Sequence, residues 1–203
     1  MIRSWQFGDQ RSMAQETWVW AAEKEILARI LPDLFGYYCL QLGGTEDLLS
    51  ASRIPYRWRL DGERAHLLAH FEALPVASDS VDVVVLPHTL ERSGNPQGIL
   101  QEVKRILVPE GHALILGFHP FSFSNIYLRR GLSAGKVKAW CIQLGLEVHQ
   151  QIGLGGRIWP FPANLYLLRV KKRVAAITPI RPRWQARPSL GSIRQPAAKV
   201  ING

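Results

Sequence analysis

Tyr37 to Leu42, YYCLQL, runs straight into Gly43-Gly44. An apolar run, a glycine turn and a helix-like segment, here Thr45 to Ala51, are what a nucleotide-like ligand requires. Glycine lets the backbone approach, and the free amides at a helix start point at a carboxylate or phosphate. A plain strand-to-helix turn uses the same pair. Asp61 follows the next strand candidate, Ile54 to Leu60, where in nucleotide-binding folds a carboxylate takes ribose hydroxyls; Asp61-Gly62 is equally an ordinary turn. His88 and His119 each leave a buried run, and the ordinary imidazole pKa suits a general base. His70 and Phe71 pair an imidazole able to accept a hydrogen bond with a ring able to stack. His66 and His70 share an i, i+4 spacing, but a strand over 66–71 keeps them from acting as a helical metal pair, and no metal-ligand cluster or Ser–His–Asp spacing stands out.

The elements that must position these residues centre on Leu74 to Phe118. Val81 to Leu86 is a nearly continuous apolar run, interrupted by Asp82, and reads as a strand buried on both faces. Asn95-Pro96 starts a helix with Asn as cap and Pro at the first helical position. Ile99, Leu100, Val103, Ile106 and Leu107 share one face of it. Pro109 and Gly111 are expected to stop that helix, and His112 to Phe118 resumes as a second buried strand. Strand, crossover helix and parallel strand make a right-handed βαβ unit, so the fold class is α/β. Further strands are expected at Tyr37–Leu42, Ile54–Leu60, His66–Phe71, Leu146–Ile152 and Asn164–Val170. A leading helix over Ser12–Leu31 carries the stripe Met13, Thr17, Trp20, Ala21, Lys24, Leu27 and Leu31, and a late helix opens at Ser133 with Val137, Trp140, Cys141 and Leu144 inward. Glu91 and Arg92 read as a solvated pair finishing a turn, and Gly153 to Pro162 as a long loop.

The ordered set LP-x-x-x-x-SVDVV, HTLE, NP, ILQEVKRIL and P-x-GHALI resembles the S-adenosylmethionine-dependent methyltransferases of the Rossmann-like class, type 11 branch. VLPHTLE together with LILGFHPFSFSN is similar to a small group of uncharacterised bacterial proteins of that kind. The strong part covers roughly residues 69–125, and a weaker version extends across 36–170. The resemblance implies a doubly wound, mostly parallel sheet closed by an antiparallel C-terminal strand. It implies S-adenosylmethionine as cofactor, lined by Gln41, Gly43, Gly44, Asp61, His70, Phe71, Pro87 and His88. His88 and His119 become candidate bases for methyl transfer to an unidentified acceptor, and Trp18 or Trp20 a lining of the cleft. Phe121, Phe123, Tyr127 and Arg129 would cover the acceptor. Three positions depart from the family pattern: Gln41 replaces the usual acid, two glycines replace three spread over five positions, and His70 replaces an Asp. Those departures favour a rival expectation, a degenerate domain that keeps the fold, binds no cofactor and serves as an interaction module.

The charge distribution divides the chain. Residues 171–203 hold eight Lys and Arg and no acid, leaving 17 basic against 16 acidic residues in 1–170, so the net +9 belongs to a Pro-spaced tail read as extended or disordered. That tail is a candidate contact for nucleic acid or an anionic surface; a solubilising extension is the alternative. The remaining 1–170 is one domain, with residues 1–11 loose. No apolar run approaches the ~18–20 residues of a membrane span and no signal segment opens the chain, so the expected location is cytoplasmic. Cys39 and Cys141, in apolar surroundings, are expected as free core thiols.

Overall fold

A computed structural model describes residues 19–44, 46–60, 71–119, 132–154 and 165–173. Six strands form one sheet in the order β2-β1-β3-β4-β6-β5, with β1 Tyr38–Leu42, β2 Tyr56–Leu60, β3 Val81–Pro87, β4 Leu107–Phe118, β5 Leu146–Leu154 and β6 Leu165–Lys172. β1 pairs in parallel with β2 and β3, and β3 with β4. β6 runs antiparallel to both β4 and β5 and sits between them. The expected α/β class with an antiparallel closing strand is thus the observed one.

Helices cover both faces, which is why the central strands are apolar at nearly every position. One face buries Leu40, Val84, Leu86, Ile115 and Leu168 against α3 (Pro96–Ile106) and α4 (Ala134–Gln143), through Ile99, Leu100, Val103, Val137 and Cys141. The other buries Cys39, Val83, Val85, Leu114, Leu116 and Leu167 against α1 (residues 19–30), through Ile26, Leu27 and Ile30. α3 begins as its sequence dictates: the Asn95 side chain accepts the Gly98 N–H at 3.0 Å, and Pro96 follows. α4 is capped by Ser133, whose hydroxyl accepts the Lys136 N–H at 3.2 Å. Cys39 and Cys141 are free and buried. Among the described residues no helix is long and apolar enough to cross a membrane.

Several expectations are corrected. The inward stripe of α1 is Val19, Glu23, Ile26, Leu27 and Ile30; Ala21 and Lys24 face solvent, because Glu23 is drawn inward by a buried partner. No helix follows the glycine pair over 46–51. Instead the Gln41 side chain ties that loop together, and Asp47 accepts the Leu49 N–H at 2.9 Å in a local turn that competes with helix formation. α3 ends at Ile106 without waiting for Pro109. β4 starts at Leu107 and passes through Pro109 and Gly111 in an irregular stretch, pairing Val81 with Leu107 and next Val83 with His112. Phe71, expected as the end of a strand, lies in a turn, and the rest of that strand lies outside the described residues. β6 reaches Lys172, so Lys171 and Lys172 belong to the sheet. The expectations for residues 1–11, for 155–162 of the long loop and for 174–203 also lie outside the described residues.

Candidate functional site

The chain leaves β1 for β2 on one side and returns to β3 on the other, so the strand order reverses between β1 and β3. In open α/β sheets the crevice at the carboxyl ends of such a pair is where ligands bind. Gly43 and Gly44 lie at the tip of β1, with φ of 79° and 82°. Pro87 and His88 lie at the tip of β3. These tips are tied together: the Thr89 hydroxyl donates to the Leu42 carbonyl, the Gly43 N–H to Leu60 O at 2.6 Å, and the His88 N–H to Leu116 O at 3.0 Å.

The space around the glycine pair is tight. A Cβ on Gly44 would stand 2.8 Å from Pro87 Cγ, and one on Gly43 would stand 3.1 Å from Thr89 Oγ1 and 3.8 Å from the Phe71 ring. Gln41, expected to offer its carbonyl to a ligand, is fully buried and turned inward. Its amide nitrogen donates to Gly43 O (2.9 Å) and Glu46 O (2.8 Å), while its oxygen accepts the Leu48 N–H (3.1 Å). It organises the loop instead of facing the crevice.

His88 is the best-defined polar residue here. It adopts a left-handed backbone (φ 53°, ψ 17°), stacks on Phe118 with centroids 4.1 Å apart, and is nearly buried. Nε2 lies 2.6 Å from Glu23 Oε1 on α1, and Nδ1 lies 3.3 Å from Glu91 Oε2 on α2 (Thr89–Arg92). Burial alone would lower its pKa, but the hydrogen bonds from Glu23 and Glu91 and their charges outweigh it and raise the pKa to about 9. At neutral pH the ring is an imidazolium held between two carboxylates. Both nitrogens are engaged, so this arrangement leaves no lone pair for a substrate proton, and the general-base role expected for His88 does not fit the geometry. Glu91 is likewise no solvated turn residue: its side chain is 8% exposed and its Oε1 accepts the Phe118 N–H. Glu23 is fully buried, and its Oε2 has no hydrogen-bond partner among the described residues.

His119 stands just past β4, half-buried. Trp20 is half-buried and packs against the core on the α1 side. Asp61, His70, Phe121, Phe123, Tyr127, Arg129 and Trp18 lie outside the described residues. The structure therefore brings together Gly43, Gly44, Phe71, Pro87 and His88, and adds Glu23, Thr89 and Glu91. No sequence signal marked Glu23 except that it occupies a core-facing helical position where an apolar residue is the norm. Among the described residues no group of three or more His, Cys, Asp or Glu could hold a metal ion.

Comparison with known proteins places this geometry. Residues 47–115, roughly a third of the chain, match the type 11 family model described as a methyltransferase domain. The Escherichia coli K12 protein YafS, itself uncharacterized, is 28% identical over 97 residues. That alignment spans 46% of this chain and 40% of YafS, less than half the relative's length. The structure of the Haloferax volcanii Trm112 methyltransferase activator in complex with a protein assigned as a methyltransferase matches with TM-score 0.63 at 20% identity, covering 81% of this chain and 94% of that one. A Thermotoga maritima S-adenosylmethionine-dependent methyltransferase matches with TM-score 0.58 at 15% identity, covering 84% of this chain and all of that one. Likeness at such identities establishes the fold alone. The fold is thus the Rossmann-like mixed sheet of those structures, and residues 47–115 within it are similar to the type 11 methyltransferase domain.

Proposed function

We propose that the protein is an S-adenosylmethionine-dependent methyltransferase acting on an acceptor yet to be identified. The observation that carries this reading is the position of Gly43-Gly44 and Pro87-His88 at the carboxyl tips of β1 and β3, where the strand order reverses. The charge of the neighbourhood suits the cofactor. Glu23 Oε2 is a buried acceptor with no donor among the described residues, so a cationic sulfonium is favoured there over an anion. Gly43, Gly44, Phe71 and Pro87 would hold the adenosine side, with Asp61 and His70 proposed for its polar edges. When bound, the cofactor supplies an electrophilic methyl group. The protein's own part is approach geometry and exclusion of water, with α1 packed on the sheet beside β3 and β4 and His88 stacked on Phe118 at their tips. A base is needed only for a protonated acceptor, and His119 is the proposed candidate, with Phe121, Phe123, Tyr127 and Arg129 as acceptor contacts.

A second reading rests on a specific observation. Thr89, Phe71 and Pro87 stand where side chains on the two glycines would go, and the Gln41 amide is spent inside its loop. Those features support a domain that keeps the fold without the cofactor and serves as an interaction module, with Lys171–Gly203 a candidate contact for nucleic acid. Calorimetric titration of the full chain with S-adenosylhomocysteine separates the two readings. The methyltransferase reading expects saturable heat and a thermal shift, and silence at millimolar ligand would overturn it. Retention on single-stranded RNA that is unchanged after deletion of 174–203 would remove the nucleic-acid role of the tail.

A further inference from the structure

The sheet carries a second polar cluster, far from the crevice. His112 on β4, Arg169 and Lys171 on β6 and His149 on β5 gather near the amino end of β4. His112 lies six residues before Phe118 in the same strand, so about 20 Å separates the cluster from the carboxyl tips. The register places His112 beside Lys171 and Leu114 beside Arg169. His149 is the extra residue of a bulge between Val148 and Gln150, and its ring meets His112 edge-on at 5.9 Å. Bulges of this kind re-aim a side chain at the cost of ladder pairing.

Among the described residues, basic side chains outnumber carboxylates in the cluster, whose acids are Glu110 and Glu147, with Glu147 Oε2 itself buried short of a hydrogen bond. Arg169 Nη2 donates to His112 Nε2 at 3.5 Å, which assigns the imidazole proton to Nδ1 because a guanidinium cannot accept. Among the described residues the Arg169 Nε–H is buried without a hydrogen-bond partner, while the His112 ring has the Val170 backbone beside it but makes no well-formed bond at Nδ1. Lys171 is matched by Glu110 at 2.6 Å, and Arg173 by Glu147, which also lies 4.0 Å from His149. Arg169, half-buried, makes no ion pair among the described residues. A guanidinium N–H withdrawn from water without an acceptor is costly, because its desolvation is not offset by a bond. Burial, then the charges of Arg169, Lys171 and His149, outweigh a hydrogen bond to the Val170 backbone and push the His112 pKa down to about 4, so the imidazole stays neutral instead of adding a further positive charge.

We infer that His112, Arg169, His149 and Lys171 form a binding site for a phosphate-type oxyanion, specifically the terminal phosphate of a phosphomonoester. An Arg169 guanidinium with an unmet Nε–H and no ion pair among the described residues, beside an imidazole N–H poorly served by its backbone neighbour, calls for an anion with several acceptor oxygens. A terminal group fits better than an internal diester, since these N–H groups are buried behind the half-exposed His149 and the partly exposed Lys171. The site is independent of the crevice and stands whether or not the methyltransferase reading does.

The test follows the His112 ring by NMR in the full chain, titrated from pH 3.5 to 8 at constant ionic strength. Chloride, inorganic phosphate, glycerol 1-phosphate and dimethyl phosphate are the four conditions. Phosphate and the monoester should raise the apparent His112 pKa by at least one unit over chloride. At pH 5 this takes its protonated fraction from about one tenth to about one half. R169Q should abolish the response. H149Q, at a half-exposed position where folding is not at risk, should weaken monoester affinity at least threefold. An unchanged pKa in phosphate, or a full response in both variants, would overturn the site. An equal response to dimethyl phosphate would overturn the assignment to a terminal phosphate.

Discussion

The clamped His88 makes stability depend on pH in a defined window. A group whose pKa is raised on folding, here from 6.5 to about 9, stabilises the folded chain fully below the lower value and loses that contribution as pH rises through the upper one. The full difference is roughly 3 kcal/mol at 1.36 kcal/mol per unit, and about 2 kcal/mol of it should disappear between pH 6 and pH 8.5. The two buried thiols, each pushed up to about 12 by burial, also favour lower pH, but the unfolded thiol value of 9.0 keeps their share small at pH 8.5. Urea denaturation at pH 6, 7, 8 and 8.5 measures the slope in wild type; His112, whose pKa is lowered on folding, gains stability over the lower part of this window, so H88Q should remove or reverse the slope. E23Q removes one of the two charges that raise the pKa and should shift the loss to lower pH. An equal slope in wild type and H88Q would refute the clamp as the source.

Gly44→Ala forces a side chain into a left-handed backbone, at roughly 1–2 kcal/mol, and against Pro87; a drop of several degrees in Tm is expected, and an unchanged Tm would mean the loop relaxes freely. Asn95→Ala removes the cap of α3 and should cost ~1 kcal/mol in urea denaturation, with Asn95→Asp close to wild type. Arg105 donates to Leu74 O (3.0 Å), Val76 O (2.9 Å) and the Ser78 hydroxyl (3.1 Å), so R105A should speed amide exchange or proteolysis in 74–80 well before the sheet is affected.

The parallel frame was legible because burial on both faces leaves a plain trace. Val81 to Leu86 and Leu114 to Leu116 are apolar at almost every position, and Asn95-Pro96 marks a helix start without tertiary help. Even the exception in the valine run has a purpose. Asp82 accepts the N–H groups of Tyr37 and Tyr38 at 2.8 and 2.9 Å and so pins the start of β1. Local pattern failed where a distant group intervened. Periodicity could not place Glu23 in the core, since its reason for being there is His88, 65 residues away. Nor could it foresee that Gln41 would consume its amide on Gly43, Glu46 and Leu48 and so replace the expected helix with a loop. Glu91 beside Arg92 looked like a surface turn because nothing nearby in sequence reveals the Phe118 amide it accepts.

The insertion of β6 between β4 and β5 bears on how the chain is made. As synthesis proceeds, β5 emerges before the strand that must separate it from β4, so the Ala113–Leu116 edge stays bare until Lys172 has been added. Nascent chains stopped short of that point would display an unpaired hydrophobic strand, the kind of template that recruits other chains. Cooperative completion of this sheet is therefore a late event, and truncation inside β6 should send the product into inclusion bodies.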